Sequence, residues 1–172
     1  MATKNKTLIL FVLMALLFKA VPLHAQQSEF SLRAYPSSWY NGYFEPGFDG
    51  MGLCYTYHPI LNKVLRLNVS GEISVLRARN EVLFGFGINN TFWQAEHFRV
   101  SIEANLLNGV DLYRPAPLYA GGLEGVARFD YYLKKRLSLF FGVGARYMVV
   151  PGYRDIGVWR YTSWPLMLGL RF

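Results

Sequence analysis

The feature that most constrains this chain is an alternation of apolar and polar residues that recurs from about residue 29 to the C-terminus. Side chains two residues apart share one face of a strand, whereas a helical face recurs every three or four residues, so this period predicts strands. Over residues 137–150, Leu137, Leu139, Phe141, Val143, Ala145, Tyr147 and Val149 fall on one face. Ser138, Gly142, Gly144 and Arg146 fall on the other, with Phe140 and Met148 among them. The last segment sets Trp164, Leu166, Leu168, Leu170 and Phe172 against Pro165, Met167, Gly169 and Arg171. The same pattern occupies residues 123–133, 98–106, 82–89, 65–75, 50–57 and a shorter piece at 29–34, which makes eight strands. Most are of a length that crosses a bilayer at a tilt.

The links between these segments differ in length. Those after the second, fourth and sixth strands are short, at residues 58–63, 94–97 and 134–136. Those after the first, third, fifth and seventh span 35–48, 77–81, 109–119 and 151–161, and only the second of these is short. Short turns at one end and long loops at the other predict an up-and-down antiparallel barrel.

A soluble barrel turns its apolar face inward and its charges to water. Here the apolar faces are almost free of charge through all eight segments. The opposite faces carry Arg33, Arg66, Arg99, Arg128, Arg146 and Arg171 together with Glu29, Glu72, Glu103, Glu124 and Asp130. Near balance of sign suits a filled interior, because a buried charge without a partner is costly. A surface facing water would carry lysine, yet none of the polar faces does; Lys63, Lys134 and Lys135 fall on turns. The expected fold is therefore all-β, an eight-stranded transmembrane barrel with lipid outside and a charge network in the lumen. Tyr55, Tyr57, Trp93, Tyr131 and Trp164 lie toward strand ends, where aromatic residues form interfacial girdles.

Hydrophobic residues make up 52% of the 172, yet the one long apolar run is N-terminal. Lys4 and Lys6 precede an apolar stretch at residues 8–18, and a short exit segment ends on Ala25. That is the layout of a cleaved signal peptide, and the run is shorter than the roughly 20 residues of a membrane-spanning helix. Residues 1–25 are thus expected to be removed and 26–172 to form the barrel. Cleavage takes Lys4, Lys6 and Lys19 but no acid, so the net charge falls from +7 to +4. The remaining arginines are spread singly, which excludes a nucleic-acid face. Cys54 is the only cysteine, so no intrachain disulfide forms.

The segment from Trp164 to Phe172 resembles the last strand of bacterial outer-membrane proteins, which alternates apolar residues and ends on an aromatic, usually Phe. Leu166, Leu168, Leu170 and Phe172 match it position by position. In that family this strand is the signal read by the barrel-assembly machinery. By its pattern the mature chain resembles the small OmpA/OmpX-like barrels. The resemblance implies export through the periplasm to the outer membrane, with outer-membrane lipids and lipopolysaccharide as neighbours. It also implies turns on the periplasmic side, loops outside and a monomer.

An eight-stranded barrel has room inside for side chains and little else. The lumenal charges are accordingly expected to be structural, with a narrow channel as the alternative. Some family barrels act on lipid A, and the deacylase type carries a His-x-Ser-Asn arrangement near the C-terminus, which this chain lacks. After cleavage His58 and His97 remain, both expected on periplasmic turns as solvated polar residues. Counted along the chain, Ser70 and Glu72 lie on the order of 30 Å from the His58 end. No catalytic site, metal site or cofactor is expected, and the chain is not expected to be an enzyme; a lipid A-modifying enzyme stands beside the narrow channel as an alternative.

Function then falls to a structural role or to the loops. Trp39, Tyr40, Tyr153 and Trp159, with Arg154 and Arg160, suit contact with an extracellular protein, a glycan or lipopolysaccharide. The same aromatics would equally form a collar at the outer interface.

Overall fold

The computed structural model describes residues 27–59, 64–77, 79–112, 117–134, 137–153 and 157–172. The expected signal peptide, residues 1–25, lies outside the described residues. The chain forms β1 (Gln27–Tyr40), β2 (Tyr43–His58), β3 (Leu65–Leu76), β4 (Asn80–Gln94), β5 (Phe98–Asp111), β6 (Leu118–Lys134), β7 (Leu137–Tyr153), β8 (Gly157–Ser163) and β9 (Leu166–Arg171).

From β1 to β8 each strand pairs antiparallel with the next, and β1 closes the ring against both β8 and β9. Because β7 also pairs with both, β8 and β9 occupy one strand position, and the barrel has eight. The interruption falls at Trp164–Pro165. Proline has no N–H to give to a ladder, so it breaks or ends a strand. The Pro165 carbonyl still accepts the Gly144 N–H at 2.9 Å. Across the seam, β1 slips register against β2 between Tyr35 and Ser37, around Pro36. Both sides of the closing seam therefore carry a proline between the pairs Ala34↔Leu166 and Ser38↔Ser163. At the open end of the seam, Ser28 and Phe172 exchange two backbone hydrogen bonds of 2.9 Å.

The faces fall as the alternation requires. Leu53, Phe86, Ile102, Leu123, Phe141 and Leu168 stand exposed on the outer wall, while Arg33, Arg99, Glu124, Arg146 and Arg171 are buried in the lumen. An apolar wall around a charged interior inverts the pattern of a soluble protein and matches a solvent of lipid.

The expected long loops are corrected. Residues 35–40 continue β1 and 43–48 begin β2, joined by the two-residue turn Asn41–Gly42. Both turn residues have positive φ, 45° and 91°, which a tight hairpin turn of primed type demands and which Asn-Gly supplies. Likewise β5 runs on to Asp111, β6 starts at Leu118, β7 reaches Tyr153 and β8 starts at Gly157. Strands β1 to β7 thus exceed the roughly 9–11 residues that span a bilayer, and most of the residues expected in loops extend the barrel wall past the membrane on one side.

Candidate functional site: the lumen and its two mouths

The interior is organised in layers. At its centre, β1, β3, β6 and β7 each point one charged side chain inward at the same level. Arg146 donates to Glu72 at 2.6 and 3.0 Å and to Glu124 at 2.6 and 2.8 Å. Arg33 lies 2.6 Å from Glu124 and 3.0 Å from Glu72. Ser74 donates to Glu72 at 2.5 Å, and the Tyr35 hydroxyl donates to the same carboxylate. Two cations meet two anions, and each of the three Arg146 nitrogens has an acceptor. Cys54, 2% exposed, is buried beside this quartet with its thiol 3.7 Å from the Thr56 hydroxyl.

Toward the end where Gln27 and Phe172 lie, Val126, Phe140 and Met167 form a small apolar layer. The Arg128 guanidinium lies 3.6 Å over the Phe140 ring. From there Arg128 reaches Glu29 at 2.5 Å, Glu103 at 2.9 Å and Asp130 at 2.9 Å. Arg171 also pairs with Glu29 and lies 3.2 Å from Asp130, while Arg99 donates to Asp130 at 3.0 and 3.1 Å. Arg66 donates to the neutral Gln27 amide oxygen at 3.2 Å. Next to it a cavity of about 490 Å³ opens at the turn-side mouth, lined among others by Arg66, Tyr132, Glu96, His97 and Lys134.

Toward the opposite end the lumen is closed by an apolar cluster of Tyr40, Leu83, Leu107, Ala120, Met148, Val150 and Tyr161. Over it, in the link after β3, Arg79 folds inward. Its guanidinium lies 3.3 Å above the Tyr161 ring and 4.9 Å from that of Tyr40, and its Nε donates to Glu81 at 2.7 Å. Tyr161 donates to the same carboxylate. Asp49 accepts from Ser38 at 2.6 Å and Tyr40 at 2.5 Å.

Several sequence expectations change here. His58 is not a solvated turn residue: it is fully buried, with Nε2 2.6 Å from Glu29 and Nδ1 3.2 Å from the Leu67 carbonyl. It stands two residues beyond Thr56 on the inward face of β2, so the alternation already carried the signal. Nor is it a strand length from Ser70, because Tyr57 stands opposite Val69; counting along the chain ignored the return of β3. His97 is a solvated link residue, its side chain 59% exposed. Of the residues expected on loops, Trp39 faces outward, whereas Tyr40 is inward and buried, and Trp159 is half-buried against the apolar cluster. Arg154 lies outside the described residues, as does the side chain of Tyr153. The sequence reading missed Tyr35, Arg79, Glu81 and Tyr161. Tyr35 and Glu81 are in phase with the inward residues Arg33 and Leu83, so continuing the alternation would have found them. Arg79 lies in a turn, where no period applies.

Among the described residues, no group of three His, Cys, Asp or Glu side chains is placed to hold a metal ion.

No family model matches the chain, and no curated protein matches its sequence. Among solved structures, Neisserial surface protein A is similar with a TM-score of 0.58 and 14% identity, covering 85% of this chain and 95% of that one. The N-terminal β-barrel domain of Pseudomonas aeruginosa OprF gives a TM-score of 0.50 and 14% identity, with 84% and 97% covered. At these identities the likeness speaks to fold: the architecture is that of the small outer-membrane barrels of the OmpA/OmpX-like group.

Proposed function

We propose that this chain is a closed outer-membrane barrel in which the lumen is structural and the outer rim is the part that meets other molecules. The observation that carries this reading is the filling of the lumen at successive levels. A balanced ion-pair quartet occupies the centre, and an apolar cluster under Arg79 closes one end. A barrel packed this way supports a membrane or displays a surface; it does not conduct.

In this reading residues 1–25 direct export and are removed, and the turn-side end, where Ser28 meets Phe172, faces the periplasm. Leu166, Leu168, Leu170 and Phe172, exposed on the outer wall, are the strand presented to the assembly machinery. The apolar wall sits among outer-membrane lipids, with lipopolysaccharide around the opposite rim, and the barrel is a monomer. At that rim Trp39, Asn41, Tyr147 and Arg160 line a groove of about 650 Å³ between the tip of β1 and β8. An aromatic ring and an arginine beside backbone polar groups suit a glycan or a protein loop.

The test is conductance. The refolded barrel in planar bilayers is expected to give no steady current. A stable, large conductance would move the reading to a channel.

A further inference from the structure

The three charged levels of the lumen are not equivalent. In the central quartet two arginines meet two glutamates, and the buried nitrogen left without an acceptor is the Nε of Arg33. At the turn-side level four arginines, Arg66, Arg99, Arg128 and Arg171, face three carboxylates among the described residues, Glu29, Glu103 and Asp130. Arg128 touches all three. The others are left short. Arg66 Nε, Arg99 Nη1 and Arg171 Nη1 are buried with no acceptor. Arg99 and Arg171 are almost completely buried, and the charges of Arg66, Arg99 and Arg171 act on one another. At the other end Arg79 pairs with the buried Glu81.

Buried cationic N–H groups without acceptors are costly, and a surplus cation among arginines is relieved by an anion. The cavity of about 490 Å³ beside Arg66 gives such an anion a way in. Its wall also carries Tyr132, whose hydroxyl oxygen accepts from Arg66 and keeps its own O–H to donate, and Lys134, a further cation. The acid on that wall, Glu96, is 88% exposed and lies 4.0 Å from His97, so it leaves the inner part of the cavity positive. We infer that the turn-side mouth is an oxyanion-binding site: Arg66 holds a phosphate-type group in the cavity, with Arg99 and Arg171 supplying charge from behind. The guanidinium fork suits a tetrahedral oxyanion. Two sources carry that chemistry, a free phosphate and the headgroup of an anionic phospholipid at the rim. The site does not depend on whether the barrel conducts.

Titration calorimetry with inorganic phosphate, on the full barrel refolded in zwitterionic micelles at low salt, tests the inference. Saturable binding is expected, about tenfold or more weaker in Arg66→Gln. Arg66→Lys should keep part of the affinity, and Arg160→Gln, at the far rim, all of it. Arg99→Gln should weaken binding as well; if it does not refold, the Arg66 variants carry the test, with heat-shifted migration in SDS gels as their check of folding. Nanodiscs separate the sources. Phosphate that binds equally with phosphatidylcholine or phosphatidylglycerol identifies a soluble anion. Phosphate excluded by phosphatidylglycerol, with that lipid retained by the wild type and lost by Arg66→Gln, identifies a headgroup. Binding of neither probe, or binding that Arg66→Gln leaves unchanged, overturns the site.

Discussion

The centre of the lumen and its mouths use the same residue types at similar burial, yet they do different things. In the centre Arg146 spends its donors on two carboxylates that also share Arg33 and serine or tyrosine hydroxyls. Such a unit is closed: each member is needed by the others. At the mouth opposite the turns Arg79 is held half by charge, through Glu81, and half by aromatic faces. At the turn-side mouth Arg66 has neutral acceptors, the Gln27 amide oxygen and the Tyr132 hydroxyl, and a cavity beside it. Burial alone therefore does not rank these arginines; what ranks them is how many acceptors each would leave behind.

That ranking is open to direct attack by substitution, with unfolding in urea from lipid vesicles as the common readout. Arg146→Leu should cost most, about 3–5 kcal/mol, because it strands Glu72 and Glu124 against a single Arg33. Replacing all four members of the quartet by apolar residues of similar volume should recover much of that loss, which separates the cost of a broken network from the worth of an intact one. Arg79→Leu should cost about 1–3 kcal/mol, since it leaves Glu81 with Tyr161 but without its cation. Asn41→Ala, in the hairpin turn remote from these charges, should cost about 1 kcal/mol, through its positive φ and through the exposed Arg160 N–H that loses the Asn41 Oδ1. Arg66→Leu should be nearly neutral, within about 0.5 kcal/mol, because it removes a surplus cation and no carboxylate loses its main partner. If Arg66→Leu proves as damaging as Arg146→Leu, the distinction between closed centre and open mouth fails.

How much of this was visible in the chain itself follows from where the two solvents meet the wall. Between Glu29 and Arg171 each strand has lipid on one side and charge on the other, so the phase of the alternation assigned Arg33, Glu72, Arg99, Glu124 and Arg146 to one face. Past the membrane the outer face no longer needs to be apolar, and inside it the lumen becomes apolar at Leu83, Leu107, Met148 and Val150. The contrast between faces fades there, so 35–40 and 43–48 looked like a loop although Asn41–Gly42 is a hairpin signal. Pro36 and Pro46 strengthened that impression; both are tolerated because the β1–β2 ladder slips register beside them. Which arginine meets which acid was not readable, because the stagger of a closed barrel brings together residues as distant as Arg33 and Glu124. His58 was misjudged because its position at the end of β2 outweighed its phase.

The central claim is a lumen closed to water, and the chain carries its own reporter for it. Cys54 is the only cysteine and sits 2% exposed beside the central quartet. The measurement is the rate at which a small, water-soluble, membrane-impermeant thiol reagent labels the folded barrel in lipid vesicles, compared with the heat-unfolded chain. The account predicts essentially no labelling until the barrel unfolds. Labelling of the folded barrel at a rate close to that of the unfolded chain would mean that water runs past the quartet, and would contradict it.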